Sequence, residues 1–523
     1  MNGLFARILS ATAGLLLATA AQGQELVIGS KAEPTSLDPH FHSLVTNIAF
    51  SRHLFEPLVL QDATQQLRPA LAESWRAVDD TTWEFKLRPG VTWHDGSPFT
   101  ARDVLFTLGR AGEVPNSPSS FKSYTGPITA ARAPDDLTVL LETAAPVPLL
   151  PNLLSLVMIV SEKHGANATT DDYNAGTAVV GTGPYRLVDW ARAERLVLER
   201  NDSHWGEAPA FERVVYRPIS NDAARVAALL AGDVDMIDVV PPADIAGLRA
   251  NPDLTVAESV ANRLLFLMFD SDREVSPMVT ARDGAPIANP FLDARVRRAV
   301  DMAINRNAIV DRLFEGSALA TGDLAPPGYF GTSPGVLEPT DFDLEGARAL
   351  LAEAGHADGF KVTVNGTNDR YINDRQVVQA LAQMLSRLGL EVEAETESRA
   401  TYFGNANKLE YSLMLLSFSP NPEVLGMLEV LLHSYDRDAG LGTNNRGRYS
   451  NPEVDRMIVE ARQTVDAAAR ERLEQQAAQL AVGEDKGLLP LYYQYNTWAL
   501  RKGLAYEART DEMTLAMGVR PAN

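Results

Sequence analysis

Between Thr82 and Leu87 the side chains alternate strictly, with Trp83, Phe85 and Leu87 apolar and Thr82, Glu84 and Lys86 polar. A period of two predicts a strand with one buried face. Arg88-Pro89-Gly90 turns the chain, Val91-Thr92-Trp93 reads as a second short strand, and His94-Asp95-Gly96 closes it. Thr100 is a good N-cap for a helix through Val104, Leu105 and Leu108. Ahead of this block, Leu26 to Gly29 reads as a strand, followed by a polar loop and a helical pattern through Ile48, Phe50 and Leu54.

After a break at Gly181-Thr182-Gly183-Pro184, strand patterns recur at Arg195 to Arg200, Arg213 to Ile219, Val234 to Ile237, Leu254 to Glu258 and Leu264 to Phe269. Asn221 caps a helix that Gly232 ends. A connector rich in Pro and Gly runs from Ser276 to Pro290, and helices dominate beyond it. They are read at Val296 to Ile304, Asn305 to Gly316, Asp343 to Gly355, Val378 to Gly389 and from Asn451-Pro452 onward, before strands at Leu488 to Leu491 and Tyr492 to Leu500. The pattern is α/β, without an internal repeat.

Length and composition narrow the class. The chain has 523 residues, 45% hydrophobic and 22% charged, which suits a soluble chain of several domains. Acidic residues outnumber basic ones 68 to 47, a net charge of −21, and such a field disfavours nucleic acid as a partner. The absence of cysteine removes disulfides, thiolate metal sites, thiol catalysis and a lipid anchor on an N-terminal Cys. Residues 1–23 carry Arg7, an apolar run from Ile8 to Leu17 and then small residues, the order of a secretory signal peptide cut near Ala21 or Gly23. The run is too short for a spanning helix. The expected location is the periplasm, without a lipid anchor.

Motifs for catalysis are weak. No Gly-x-Ser-x-Gly elbow, His-Glu-x-x-His helix or phosphate loop occurs, and Gly181-Thr182-Gly183 lacks the third glycine of a dinucleotide loop. His40-x-His42 reads as surface histidines rather than a metal site. The expectation is a protein that is not an enzyme and holds neither metal nor cofactor.

Several blocks resemble the family 5 extracellular solute-binding proteins of ABC importers, the group that includes peptide-, nickel-, opine- and glutathione-binding members. They are Leu71-Ala72-Glu73-Ser74-Trp75, Trp83 to Val91, His94-Asp95-Gly96, Thr100 to Val104, Gly181 to Tyr185, Asn201 to Trp205, Leu229 to Asp235, Arg295-Val296-Arg297 with Ala303 to Arg306, Ala347 to Gly355, Tyr449 to Asp455 and Leu489-Pro490-Leu491. The resemblance implies a two-lobed periplasmic-binding-protein fold with mixed sheets, a hinge between the lobes and an extra α/β domain. Lobe I would combine 24–60, 183–269 and 488–523, the extra domain 61–182, and lobe II 270–487. It further implies a monomeric receptor that captures a peptide or peptide-like solute and delivers it to an inner-membrane permease. A nickel, metal-chelate or opine receptor of the same fold, with His42 or His433 as possible ligands, is the alternative, and a secreted hydrolase the weaker one.

Peptide-binding members carry a Gly-Trp-x-x-Asp segment whose ring covers the ligand and whose carboxylate meets its α-amino group. Here the corresponding stretch is Ser417-Phe418-Ser419-Pro420-Asn421, with an amide where the acid would be. An amide accepts a hydrogen bond without matching the charge, so another acid such as Glu423 takes over or the ligand has no ammonium there. The expected contacts are Phe418, Ser419, Asn421, Tyr402, Asn47 and Tyr124.

Overall fold

A mixed sheet of twelve strands forms the backbone of the computed structural model, which describes residues 25–335, 337–419 and 423–522. The signal-peptide reading of residues 1–23 therefore lies outside the described residues. Among these, no helix is long and apolar enough to cross a membrane.

Two long antiparallel strands, Leu254–Phe269 and Leu488–Arg501, occupy the centre of that sheet. At one end Leu500 and Ala499 pair with Met236–Ile237, which lead outward through the parallel strand Glu25–Ser30 to Arg213–Pro218, Arg195–Arg200 and Tyr185–Ala191. At the other end Leu264 to Phe269 pair with Leu413–Phe418, which runs parallel to Lys361–Thr367. The two central strands thus belong to both lobes. Leu254 to Glu258 and Leu264 to Phe269, read from sequence as separate strands, are the two halves of one.

Alternation explains why lobe II packs on both faces of its sheet. Leu265, Leu267 and Phe269 enter one core with Leu413 and Leu415, whereas Leu264, Phe266 and Met268 enter another with Met414 and Leu416. Neighbouring side chains on a strand point to opposite faces, so a continuous apolar run is what a sheet covered on both sides requires. Helix Asp374–Leu388 covers the first face through Val378, Leu381 and Leu385, and Gly389 ends it at φ 107°.

Residues Ala72–Asp79, Thr82–Leu87, Thr138–Thr143 and Ile128–Asp135 build a separate sheet of four antiparallel strands. Trp83, Phe85 and Leu87 are buried there, as their alternation predicts. Thr100 and Asp103 form a reciprocal capping box at the start of helix Ala101–Ala111. Val91-Thr92-Trp93, by contrast, is not a strand: only an isolated bridge from Thr92 to Pro98 forms, because Pro98 has no N–H to extend a ladder. The core of this region is continuous with Leu26, Ile28, Val214 and Tyr216 of lobe I.

Candidate functional site

The pairing of the two central strands breaks where they cross between the lobes. Val260 faces Tyr495 and Leu264 faces Tyr493, leaving Ala261, Asn262 and Arg263 opposite Gln494 alone. Asn262 finds its backbone partner elsewhere, donating to the Thr510 carbonyl at 3.0 Å. An unpaired stretch of this kind bends a strand and aims its side chains out of the ladder.

Ala261, Arg263 and Gln494 line a hollow of about 270 Å³, closed by Arg370 and Ile372 of lobe II and by Val239 and Glu512 of lobe I. A second hollow of about 200 Å³ adjoins it through the same Val239 and Glu512. Lys31, Thr46, Phe50, Asp238 and Thr514 surround it on lobe I. Together they form a cleft whose floor is the crossing itself.

Charge is divided across this cleft. Asp238 accepts hydrogen bonds from the Lys31 backbone N–H at 2.7 Å and the Thr514 hydroxyl at 3.3 Å. Its burial pushes the carboxyl up to about 6, against those hydrogen bonds and the nearby Arg225 guanidinium. Glu512, half exposed, stands 3.5 Å from Arg263. Arg370 lies over the Tyr371 ring at 5.8 Å and makes no ion pair among the described residues. Lobe I therefore offers the Asp238 and Glu512 carboxylates beside Lys31, which pairs with Asp222 at 3.4 Å; Glu512 forms an ion pair with Arg263 of the crossing, and Arg370 of lobe II stands without one among the described residues.

Two of the ten non-glycine residues with positive φ among the described residues line this cleft. Val239 holds φ 46° and Glu512 φ 64°, in the left-handed region that side chains with a Cβ avoid. The fully buried Arg225 fixes the first of these: its guanidinium donates to the carbonyls of Ile219, Asp238 and Val239 at 2.8, 3.0 and 2.7 Å. Strain held by such a clamp is a common property of ligand sites.

Of the six residues expected from sequence, the five that are described, Phe418, Ser419, Tyr402, Asn47 and Tyr124, line neither hollow. Phe418 is half-buried at the end of its strand, opposite Leu264, and Ser419 follows it at the rim of lobe II. Asn421 lies outside the described residues. Tyr402 must be corrected: it is fully buried, donates to the Leu415 carbonyl at 2.9 Å and stacks on Tyr411, so it is a core residue. Asn47 is likewise buried, and its amide is spent on Thr35, receiving the backbone N–H and donating to the hydroxyl at 3.0 Å. Tyr124 shares a hydrogen bond of 2.8 Å with Ser43 and ties the extra domain to the N-terminal loop. Glu423 does not replace the missing acid either, because Arg470 holds it through two hydrogen bonds at 3.0 and 2.9 Å.

The histidines have structural partners. His40, read from sequence as a surface residue, is instead fully buried; it contacts the Met158 carbonyl and Arg110, and burial pushes it down to about 4. His42 meets the Thr35 hydroxyl, and His433 the Ser434 carbonyl. Among the described residues no three His, Asp or Glu side chains converge as a metal site would need.

The comparisons with known proteins agree on one family. The model of the bacterial extracellular solute-binding proteins, family 5, middle region, matches residues 66–438. The periplasmic oligopeptide-binding protein OppA of Salmonella typhimurium is 27% identical over 506 residues, covering 91% of this chain and 88% of the relative. The glutathione-binding protein GsiB of Escherichia coli O1:K1 / APEC is 27% identical over 505 residues, covering 94% and 92%. Among solved structures, the unliganded open form of the periplasmic murein tripeptide binding protein MppA superposes with a TM-score of 0.81 at 23% identity. That superposition covers 96% of this chain and 98% of MppA, and shows that the fold is shared.

Proposed function

We propose, from the premise that the chain belongs to the bacterial extracellular solute-binding proteins of family 5, that it captures a peptide or peptide-like zwitterion in the interlobe cleft. The division of charge across that cleft carries the reading. An ammonium suits Asp238 and Glu512 on lobe I, and a carboxylate suits the guanidiniums of Arg263 and Arg370. Glu512 then supplies the negative charge that Asn421 cannot. Similarity to oligopeptide- and glutathione-binding relatives supports the same class.

Ligand closes the lobes only as far as it binds the closed form more tightly than the open one. The unpaired stretch Ala261 to Arg263 is where the crossing strands can bend, and its Ala261 and Arg263 line the ligand cavity, so occupancy and bending act on the same residues. We draw the boundary between the lobes there and at Gln494, inside the two strands. Phe418 and Ser419, at the rim beside the crossing, are assigned to contacts of the closed form. The receptor works as a monomer in the periplasm after loss of residues 1–23, without chemical turnover, and hands its cargo to an ABC permease.

A thermal-shift screen of the mature chain against di- to hexapeptides, glutathione and opines tests this. A ligand at about 100 times its dissociation constant adds about 2.7 kcal/mol of stability. Stabilisation by a peptide or glutathione is expected. Stabilisation by none of the zwitterions, or by neutral solutes alone, contradicts the reading.

A further inference from the structure

The side chain of Val239 is strained without being packed. Among the ten non-glycine residues with positive φ in the described residues, Val239 alone is β-branched, and a β-branched side chain is a marked outlier there. Arg225 donates to the Val239 carbonyl at 2.7 Å, a contact that any side chain at this position would leave in place. The isopropyl group itself is 47% exposed and lines both hollows of the cleft. Strain kept for an exposed side chain points to a use outside the fold.

The start of helix Val45–Leu54 makes a similar choice. Leu44 occupies its N-cap position, where a Ser, Thr, Asp or Asn side chain would accept a hydrogen bond from a free backbone N–H and a leucine accepts none. Leu44 and Val45 are 40% and 45% exposed, and Val45 lines the hollow around Asp238 with Ala32, Ala49, Phe50 and Met513. Across the cleft, Ile372 of lobe II is exposed too and lines the adjoining hollow beside Val239. We propose, resting on the reading that the cleft takes a peptide zwitterion, that the hollow around Asp238 receives the ligand's first side chain and selects an apolar one of leucine or phenylalanine size. Val239 and Val45 are the residues that set this choice.

The charges fix which side chain this is. Asp238 and Glu512 line the same hollow, so an ammonium that faces them brings the side chain on its own α-carbon against Val45 and Val239. A second charge finds no free partner there: Glu512 pairs with Arg263 at 3.5 Å, Lys31 with Asp222 at 3.4 Å, and Asp238 faces Arg225 at 3.9 Å. A charged side chain entering beside the ammonium would lose water without being matched, whereas an apolar one displaces water from apolar walls. The hollow measures about 200 Å³, the share of about seven waters in the liquid, which is room for one side chain and not for a longer segment. Arg263, Arg370, Gln494 and Asn496 line the adjoining hollow, and their polar groups suit the peptide backbone and its carboxylate instead.

The test is calorimetric titration of the full mature chain with six tripeptides: Leu-Gly-Gly, Phe-Gly-Gly, Gly-Gly-Gly, Lys-Gly-Gly, Glu-Gly-Gly and Gly-Gly-Leu. Leu-Gly-Gly or Phe-Gly-Gly should bind at least about tenfold tighter than each of the other four. Val239→Asn, which relieves the backbone, and Val45→Ser should each reduce the ratio of Leu-Gly-Gly to Gly-Gly-Gly affinity to about threefold or less. A role confined to the fold would leave that ratio as it is. Equal affinity whatever the first residue, a preference shared by Gly-Gly-Leu, or a ratio undiminished in both variants overturns the proposal and leaves peptide capture standing. Binding of none of the six also overturns it, and peptide capture falls with it only if the thermal-shift screen is blank for every longer peptide and glutathione as well.

Discussion

Asp238 shows how one buried carboxyl couples the cleft to pH. Its ordinary value of 3.8 is raised to about 6 chiefly by burial. The folded chain thus takes up this proton at a higher pH than the unfolded chain does. The resulting stabilisation is fully present below 3.8 and is lost as pH rises through about 6. Melting curves between those values should therefore show wild type gaining stability in acid relative to Asp238→Asn; parallel curves would show that the carboxyl does not titrate there. Ligand binding has the opposite sign, since an ammonium needs the ionised acid, and affinity for an amine should fall below pH 6 in wild type alone. Val239 makes a separate prediction. Asparagine tolerates its φ of 46° better than a β-branched side chain, so Val239→Asn should raise stability by about 1 kcal/mol in chemical denaturation. A loss of stability there would mean that the strain is not borne by that side chain.

At the scale of elements, the central strand Leu254–Phe269 carries more than its length suggests, because its second half feeds two cores. Leu267 has no exposed surface, and Leu267→Ala should cost about 2–5 kcal/mol, read as a lower denaturation midpoint. A loss well under 1 kcal/mol would show a core that collapses around the gap. Which elements could be read from sequence follows from burial. Thr82–Leu87 alternates because only one face is covered, and Asn221, Asn305 and Asn451 announce helix starts by side-chain caps that all form. Glu391–Glu397 escapes because, largely exposed, it reads Glu-Val-Glu-Ala-Glu-Thr-Glu, and the face opposite its glutamates carries only Val392, which packs on the core, and the small Ala394 and Thr396. Lys361–Thr367 escapes for another reason: its alternation is only two apolar positions long, Val362 and Val364, and Asn365-Gly366, which reads as a turn, is buried within the strand. The site was less legible than the fold. Asp238, Arg263, Arg370 and Glu512 come from four distant segments, each an ordinary polar residue in its own neighbourhood, and only the crossing brings them together. Tyr402 and Asn47 illustrate the converse, since polar groups read as free for a ligand are consumed by the backbone and by Thr35.

For the whole molecule, lobes joined by two strands with an unpaired stretch at their crossing can bend without breaking either core. Asp238 and Glu512 lie on lobe I, Arg263 in the bend itself and Arg370 on lobe II, so on the reading proposed above a ligand with both termini free bridges the lobes, and one with a blocked end engages a single side. The most direct measurement is calorimetric titration of the mature chain with a peptide identified as a ligand, together with its N-acetylated and C-amidated forms, in wild type, Glu512→Gln and Arg370→Gln. The account predicts that blocking either end weakens binding by about tenfold or more, one charged hydrogen bond being worth about 1.5–3 kcal/mol. It predicts further that Glu512→Gln removes the penalty for acetylation and Arg370→Gln the penalty for amidation. Equal affinity for free and blocked peptides in wild type, or penalties that persist unchanged in both variants, would contradict it.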